Sequence, residues 1–334
     1  MSNKDPGTLY QLQEAKQFLI EHDRFLVVSH VQPDGDAASS TMAMGLILQA
    51  LGKQYELINQ DQIPRKFDYM SGYDRIGRAG SAEQEPAEAE KYACVITVDC
   101  ADYARVGDCS KWFSEDAQLL NIDHHPTNDG FGTVRLIRPN AAATVQILAE
   151  LIDELPIAWN RELADCIYTG LLTDTGGFRY SSTTPDVMKV ASKMLTYGVE
   201  GHKLAEHLLE KVTLAHILIL KKALASLSFD ADNRISWMLI RGSDVAESGA
   251  NNEDMEGIVN YAINVEGVEV GILFKEVGPA EVKVSLRSRG NVNVSSFAKS
   301  LGGGGHIRAA GCTIQQPLDD AVSMIITLLK RQFS

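Results

Sequence analysis

The segment Leu119-Leu120-Asn121-Ile122-Asp123-His124-His125-Pro126 decides how the rest of the chain is read. Its apolar run, with little polar alternation, describes a β-strand buried on both faces, the kind found in parallel sheets. At Asp123 the run stops, and one carboxylate and two imidazoles follow. A turn-capping acid and a surface histidine account for one or two such residues. Three adjacent ionisable groups at the tip of a buried strand point to chemistry.

Working outward, other apolar segments end in the same way. Arg24 to His30 (RFLVVSH) reads as a strand and runs into Val31-Gln32-Pro33-Asp34-Gly35-Asp36, and Tyr92 to Val98 (YACVITV) runs into Asp99-Cys100. Tyr55–Ile58, Gln118–Ile122 and Val134–Ile137 supply further strands. Helices are predicted over Leu9–His22, Ala37–Leu51 with Gly52 as the stop, Ala141–Leu155 and Arg161–Leu172. Thr184-Pro185 starts another, Thr184 as N-cap and Pro185 in the first turn, ending near Gly198. Non-alternating strands separated by helices predict an α/β fold, a parallel sheet with helices on both faces. Gly80–Glu90, acidic and Ala-rich, reads as a solvated loop or helix face. The helical stretch His202–Leu227 reads as a connector in which His202, His207 and His216 are surface or packing residues. From Arg234 short strands (Ile235–Ile240, Val268–Lys275, Val282–Arg287) precede helices near Val294–Leu301 and Leu318–Lys330. The expected organisation is a domain over 1–200, a connector over 201–229 and a smaller α/β domain over 230–334, with the active site in the cleft between the two domains.

Composition bounds the function. The chain has 334 residues, 45% hydrophobic and 22% charged, as in a globular protein of one or two domains. No apolar run approaches the ~20 residues of a membrane helix, and Met1 to Gly7 lack a signal-peptide pattern. Cys94, Cys100, Cys109, Cys166 and Cys312 form no CxxC pair and read as reduced core thiols, so a cytoplasmic protein is expected. A net charge of −13 argues against a broad basic surface for long nucleic acid. A small anionic substrate remains compatible if metal ions and a few arginines invert the field locally.

Ligands of open parallel sheets bind beyond the carboxyl ends of the strands. That rule gathers His30, Asp34, Asp36, Asp99, Asp123, His124 and His125 on one crest, and the helix ending near Leu172 adds Asp174. Taken singly, Asp34-Gly35-Asp36 is a turn and helix cap, Asp99 a turn acid and Asp174 a C-terminal turn before Gly176-Gly177. Taken together they repel one another unless cations lie between them. Carboxylates with imidazoles and no thiolate suit Mn²⁺ or Mg²⁺ and tolerate Co²⁺ or Zn²⁺. Six ligands exceed the needs of one small ion, and two metals ~3.5–4 Å apart clamp a phosphoryl group during in-line attack. In the second domain Gly302-Gly303-Gly304-Gly305-His306 lies between a helix and a strand, where backbone N–H groups can approach an anion closely. His306, Arg287 and Arg289 offer donors there. The two arginines fit alternation on a solvent-facing strand equally well, and Arg308 is undetermined.

With these residues in hand, the chain resembles the DHH-family phosphoesterases that carry a DHHA1 domain. The matching pieces are His30 to Asp36, Val98-Asp99, Asp123-His124-His125, Thr173-Asp174-Thr175-Gly176 and Gly302 to Gly311, in the family's order. The size and Phe178-Arg179-Tyr180 are most similar to the NrnA-type bifunctional oligoribonucleases and 3′-phosphoadenosine 5′-phosphate (pAp) phosphatases. The resemblance implies a first metal held by His30, Asp34 and Asp99, and a second by Asp36, Asp99, His124 and Asp174, with Asp99 bridging. It implies that Asp123 orients His124, that His125 faces the substrate phosphate, and that Gly303, Gly304, Gly305, His306, Arg287 and Arg289 grip the nucleotide. Two Mn²⁺, with Mg²⁺ or Co²⁺ as substitutes, are the implied cofactors. The implied substrates are very short single-stranded RNA or dinucleotides and pAp, with no long duplex and no membrane partner; a homodimer is compatible. The rival readings are a cyclic- or linear-dinucleotide phosphodiesterase, a RecJ-like exonuclease, a pyro- or polyphosphatase, and a catalytically silent nucleotide-binding module.

Overall fold

A computed structural model describes residues 6–79, 91–290, 292–331 and 333. The expectation for Gly80–Glu90 lies outside the described residues. The chain divides into two compact units, Met1–Lys211 and Val212–Ser334.

The first unit is built on six strands: β1 Phe25–Val28, β2 Tyr55–Asn59, β3 Ile76–Arg78, β4 Tyr92–Val98, β5 Phe113–Asp123 and β6 Val134–Ile137. Their order is β3-β2-β1-β4-β5-β6, with every pairing parallel. β1 and β4 stand side by side in the middle, their residues nearly all fully buried, which is why they read as unbroken apolar runs. One face is covered by helices α1 Pro6–Glu21, α2 Gly35–Ala50, α3 Thr144–Glu154, α4 Arg161–Asp174 and α5 Pro185–Thr196 around a core that includes Phe18, Phe25, Met42, Ile96 and Leu120. On the other face Val106 and Cys109, from the 3₁₀ stretch Tyr103–Trp112, pack with Leu26, Val28 and Val95. The structure confirms the predicted cap of α5, where the Thr184 hydroxyl accepts the Val187 N–H. All five cysteines are free and buried.

After the short α6 Gly201–Ala205 the chain forms a π-helical turn, Glu206–Glu210, and α7 Leu214–Ala225 opens the second unit. The connector histidines are packing groups where contacts are seen: His207 Nε2 lies 2.9 Å from the Lys66 carbonyl, and His216 Nδ1 lies 2.7 Å from that of Asp254.

The second unit carries β7 Ser228–Asp230, β8 Ile235–Ile240, β9 Val270–Gly278, β10 Glu281–Ser288, β11 Gly304–His306 and β12 Ala309–Ile314, in the order β11-β12-β10-β9-β8-β7. All its pairings are antiparallel except β8 with β9. Its remaining helices are α8 Gly242–Ser248, α9 Val259–Ile263, α10 Val294–Ser300 and α11 Leu318–Lys330. The sheet alternates strictly along β10, where Val282, Val284, Leu286 and Ser288 are buried and the residues between them are not. The buried set packs against α10 and α11. The short β3, β7 and β11 escape sequence reading because three residues are too few to show periodicity. Among the described residues no helix is long and apolar enough to cross a membrane.

Candidate metal centre

Successive strands of the first sheet deliver the ionisable residues to one crest. His30 follows β1, Asp99 follows β4, Asp123 ends β5 with His124 and His125 behind it, and Asp174 ends α4. Asp99 sits at φ 55°, in the left-handed region that asparagine and aspartate tolerate best, so the chain turns sharply as it leaves β4.

The Asp99 carboxylate faces two groups at once. Its Oδ2 lies 3.5 Å from His30 Nε2 and its Oδ1 lies 3.6 Å from His124 Nε2. His30, Asp34 and Asp99 form one set of donors, and Asp36, His124 and Asp174 form another, each within 4.8 Å internally. His124 Nε2 is 3.5 Å from Asp174 Oδ2 and 3.9 Å from Asp36 Oδ2. All six expected metal ligands therefore converge. The alternative reading of Asp34 as a helix cap also holds: its Oδ1 accepts the Asp36 and Ala37 N–H groups at 3.1 Å and thereby starts α2.

Charge at this crest is unbalanced. Burial pushes the Asp36 and Asp174 carboxyls well above the usual carboxylate range, and the neighbouring acids reinforce the shift. Burial acts on Asp99 in the same sense, but the His30 hydrogen bond and the nearby imidazoles outweigh it and hold Asp99 well below that range. The His30 ring is desolvated, which disfavours its proton, yet Asp99 and Asp34 raise its pKa above the ordinary value. Divalent cations answer all of these shifts together, and a thiol-free set of carboxylates and imidazoles suits hard or borderline ions. His30 Nδ1 lies 2.8 Å from the Val31 carbonyl, so a proton on Nδ1 leaves Nε2 as the ligand atom.

One expected role is corrected. Asp123 does not orient His124. Its Oδ1 lies 2.7 Å from His125 Nδ1, while its Oδ2 accepts from Asn128 Nδ2 at 2.7 Å. His124 instead has its Nδ1 3.3 Å from the Ala141 carbonyl, and both imidazoles approach the same Asp99 oxygen. Burial would lower the pKa of His125, but Asp123 and Asp99 raise it to about 9. The two acids thus favour a protonated ring, while Asp99, His124 and His125 also form a third set of donors within 4.8 Å of one another.

Three residues at the site escaped sequence reading as parts of it. The Thr144 hydroxyl donates to Asp99 Oδ1 at 2.9 Å, and the Thr144 and Val145 peptide N–H groups donate to Asp36 Oδ2 and Oδ1 at 2.5 and 3.1 Å. The buried carboxylate of Asp36 thus caps α3, whose own N-cap residue, Ala143, has no capping side chain. That missing cap, Ala141-Ala142-Ala143 ahead of a helix, was the available clue. Asn128 is the third, through its bond to Asp123. Gly170 allows the close approach: a β-carbon there would lie 2.6 Å from Val145 and 2.9 Å from Asp36 Oδ1. Arg105, left open between phosphate and surface roles, is half-buried with Nη2 3.0 Å from His30 Nδ1.

The expected substrate-binding residues of the second unit are arranged differently from a free loop. Gly304 to His306 form the edge strand β11, paired with β12. A β-carbon on Gly303 would lie 2.1 Å from the Gly311 carbonyl oxygen, so glycine there serves the close packing of that hairpin. Gly305 meets Ala309 and Ala310 in the same way, while the space at Gly304 is open. The His306 side chain lies outside the described ones. Arg287 is half-buried on β10, Nη1 bonded to the Leu286 carbonyl, and Arg289 Nη2 donates to Asn264 Oδ1 at 2.7 Å.

Comparison with known proteins agrees with this geometry. Residues 24–171 match the model of the DHH family N-terminal domain and residues 237–333 that of the DHHA1 domain. A bifunctional oligoribonuclease and PAP phosphatase NrnA of Thermus thermophilus is 31% identical, over 92% of this chain and 90% of its own length. The Bacillus subtilis protein of that name is 24% identical over 88% and 90%. A crystal structure of an exopolyphosphatase-related protein from Bacteroides fragilis shares the fold, with a TM-score of 0.90 over 97% of both chains at 23% identity. The chain belongs to the DHH family, in the branch that carries a DHHA1 domain, and is a metal-dependent phosphoesterase.

Proposed function

We propose that the chain is a two-metal phosphohydrolase that degrades very short single-stranded oligoribonucleotides to mononucleotides and removes the 3′-phosphate of pAp, in the cytoplasm and with Mn²⁺ as the natural ion. The substrates are those in the names of its Thermus and Bacillus relatives. The observation that carries the two-metal part is the divided Asp99 carboxylate, one oxygen toward His30 and the other toward His124. His30, Asp34 and Asp99 would hold one ion, and Asp36, Asp99, His124 and Asp174 the other. Bound divalent ions would polarise the phosphoryl oxygens and acidify water at neutral pH.

The protein's own groups do the rest. Thr144 and the amino end of α3 fix Asp99 and Asp36, so the ligands need no rearrangement when charge develops. Asp123, steadied by Asn128, holds His125 protonated and oriented. The His125 imidazolium then donates to a phosphoryl oxygen or to the departing alkoxide.

The test is a length series. RNAs of two to about 25 nucleotides, pAp and pyrophosphate are incubated with Mn²⁺, and metal content is measured by elemental analysis. Fastest turnover of the shortest RNAs, phosphate release from pAp and two ions per chain are expected. Preference for the long RNA, or cleavage of pyrophosphate alone, overturns the reading.

A further inference from the structure

The loop behind Asp174 is covered by a residue from a later part of the chain. Helix α4 ends at Asp174 with Thr175 as its C-cap, and its last carbonyls are taken up in a Schellman arrangement. The Gly177 N–H donates to the Leu172 carbonyl at 2.7 Å, and the Gly176 N–H to that of Thr173 at 3.0 Å. Gly176 and Gly177 are left-handed, at φ 59° and 74°, and so is Phe178 at 61°, an uncommon conformation for a residue with a side chain. Three such residues in a row persist only where their surroundings fix them. Phe178 is fixed by its N–H bond to the Thr175 hydroxyl at 2.9 Å and by an edge contact with the Tyr168 ring.

A Schellman cap is commonly completed by an apolar contact from the residue that here is Gly177 to the last turn of the helix. Gly177 has no side chain to make it. Leu209 stands in that place instead: a β-carbon on Gly177 would lie 2.7 Å from Leu209 Cδ1. Leu209 belongs to the π-helical turn Glu206–Glu210, which the Lys211 N–H closes by donating to the Glu206 carbonyl at 3.0 Å. Isolated π turns are rare and gather at functional sites. This one is tied to α4 by a second route. The His207 ring, bonded to the Lys66 carbonyl, meets the Tyr69 ring edge-on with centroids 5.2 Å apart, and the Tyr69 hydroxyl lies 2.7 Å from Thr169 Oγ1 on α4.

We propose that Leu209 is a positioning residue for the second ion: it completes the cap of α4 from outside the helix and so holds Asp174 in line with His124 and Asp36. The proposal rests on the two-metal reading above and adds to it a residue that touches neither ion nor substrate. Asp174 needs such help more than its neighbours do. Asp36 and Asp99 receive hydrogen bonds from the start of α3. The Asp174 carboxylate accepts none among the described residues and only faces His124 Nε2 at 3.5 Å, so its place is set by the backbone that carries it. Asp174 is also the last residue of its helix, where a loosened cap frays first.

The experiment titrates the chelator-treated full chain with Mn²⁺, by calorimetry and by the EPR signal of the free ion. Leu209→Ala is expected to weaken one of the two ions about tenfold, the lower end of the range for groups that support a ligand, and to leave the other within twofold. Leu209 is 40% exposed, so shortening it takes little from the core and the melting temperature should hardly move. Leu209→Met refills the space and should restore the affinity. Leu208→Ala is the structural control: its side chain packs on the core of the unit, so the melting temperature falls while both affinities stay. Hydrogen exchange in metal-free protein gives a second readout, the Gly177 amide exchanging several-fold faster in Leu209→Ala. Unchanged exchange there overturns the role of Leu209, as do two ions bound within twofold of the wild type, or both weakened equally. A wild-type chain that binds a single ion removes the two-metal reading instead, and the Gly177 amide then decides the cap by itself.

Discussion

Thr144→Val removes one oxygen at the centre of the metal site and leaves the shape nearly intact. The hydroxyl is fully buried and donates to the Asp99 oxygen that also faces His124. A hydrogen bond to a charged group contributes about 1.5–3 kcal/mol. Asp99 keeps its imidazole neighbours, and the peptide bonds from Thr144 and Val145 to Asp36 survive, so a loss near 2 kcal/mol is expected. For a unit of this size that corresponds to a fall in melting temperature of about 4–8 °C. Metal binding is the sharper measure. Losing a group that supports a ligand costs roughly 10–100-fold in affinity or activity. Mn²⁺ titrated calorimetrically into chelator-treated protein reads this directly, and kcat should fall while the substrate KM stays near its wild-type value. Thr144→Ser keeps the donor and should restore both. A Val variant that melts lower yet binds Mn²⁺ and turns over within twofold of the wild type would show the hydroxyl to be structural only and refute its positioning role.

Two further outcomes follow from the charges. In metal-free protein the raised pKa values of Asp36, Asp174 and His30 mean that the folded site holds protons the unfolded chain would release, so stability falls as pH rises through those folded values. Metal must displace these protons, so stabilisation by Mn²⁺ should grow with pH up to those folded values, by about 1.4 kcal/mol per pH unit for each proton released; a melting shift independent of pH would contradict this. Asp123→Asn removes the hydrogen-bonded one of the two acids that raise His125 to about 9. Its proton, present in the wild type below that value and lost above it, should then leave at a lower pH, toward the ordinary histidine range. Activity should drop by up to roughly 30-fold at pH 8 and far less at pH 6, and parallel pH profiles for variant and wild type would sink the role given to His125.

The parallel sheet was legible because the strands that carry the site are buried on both faces and so read as apolar runs ending in acids. The edge strand β3 and the 3₁₀ stretch Tyr103–Trp112 were not, since neither shows a period. Ligand types were legible one by one, but partnerships between them were not. Asp123 is close to both histidines in sequence, and only the folded turn after β5 brings it to His125. The glycine run shows the opposite failure: its composition describes a loop, while pairing with β12 makes a strand of it.

The capping of α3 explains why such a site can exist before any ion arrives. A cluster of buried carboxylates is costly in a low-dielectric interior and tends to neutralise or splay apart. Here Asp36 receives two peptide N–H groups from the uncapped end of α3, and Asp99 receives the hydroxyl that follows the same cap. One helix end therefore holds the proposed bridging acid, Asp99, and one acid of the second ion, Asp36, and Asp34 is held independently by the start of α2. The fold uses its own unsatisfied amides, which every helix end must place somewhere, to fix the ligands that would otherwise repel. Metal affinity and helix capping are in this way one device, so that a substitution which supplies α3 with a conventional cap, such as Ala143→Ser, should weaken the hold on Asp36 and with it the second ion.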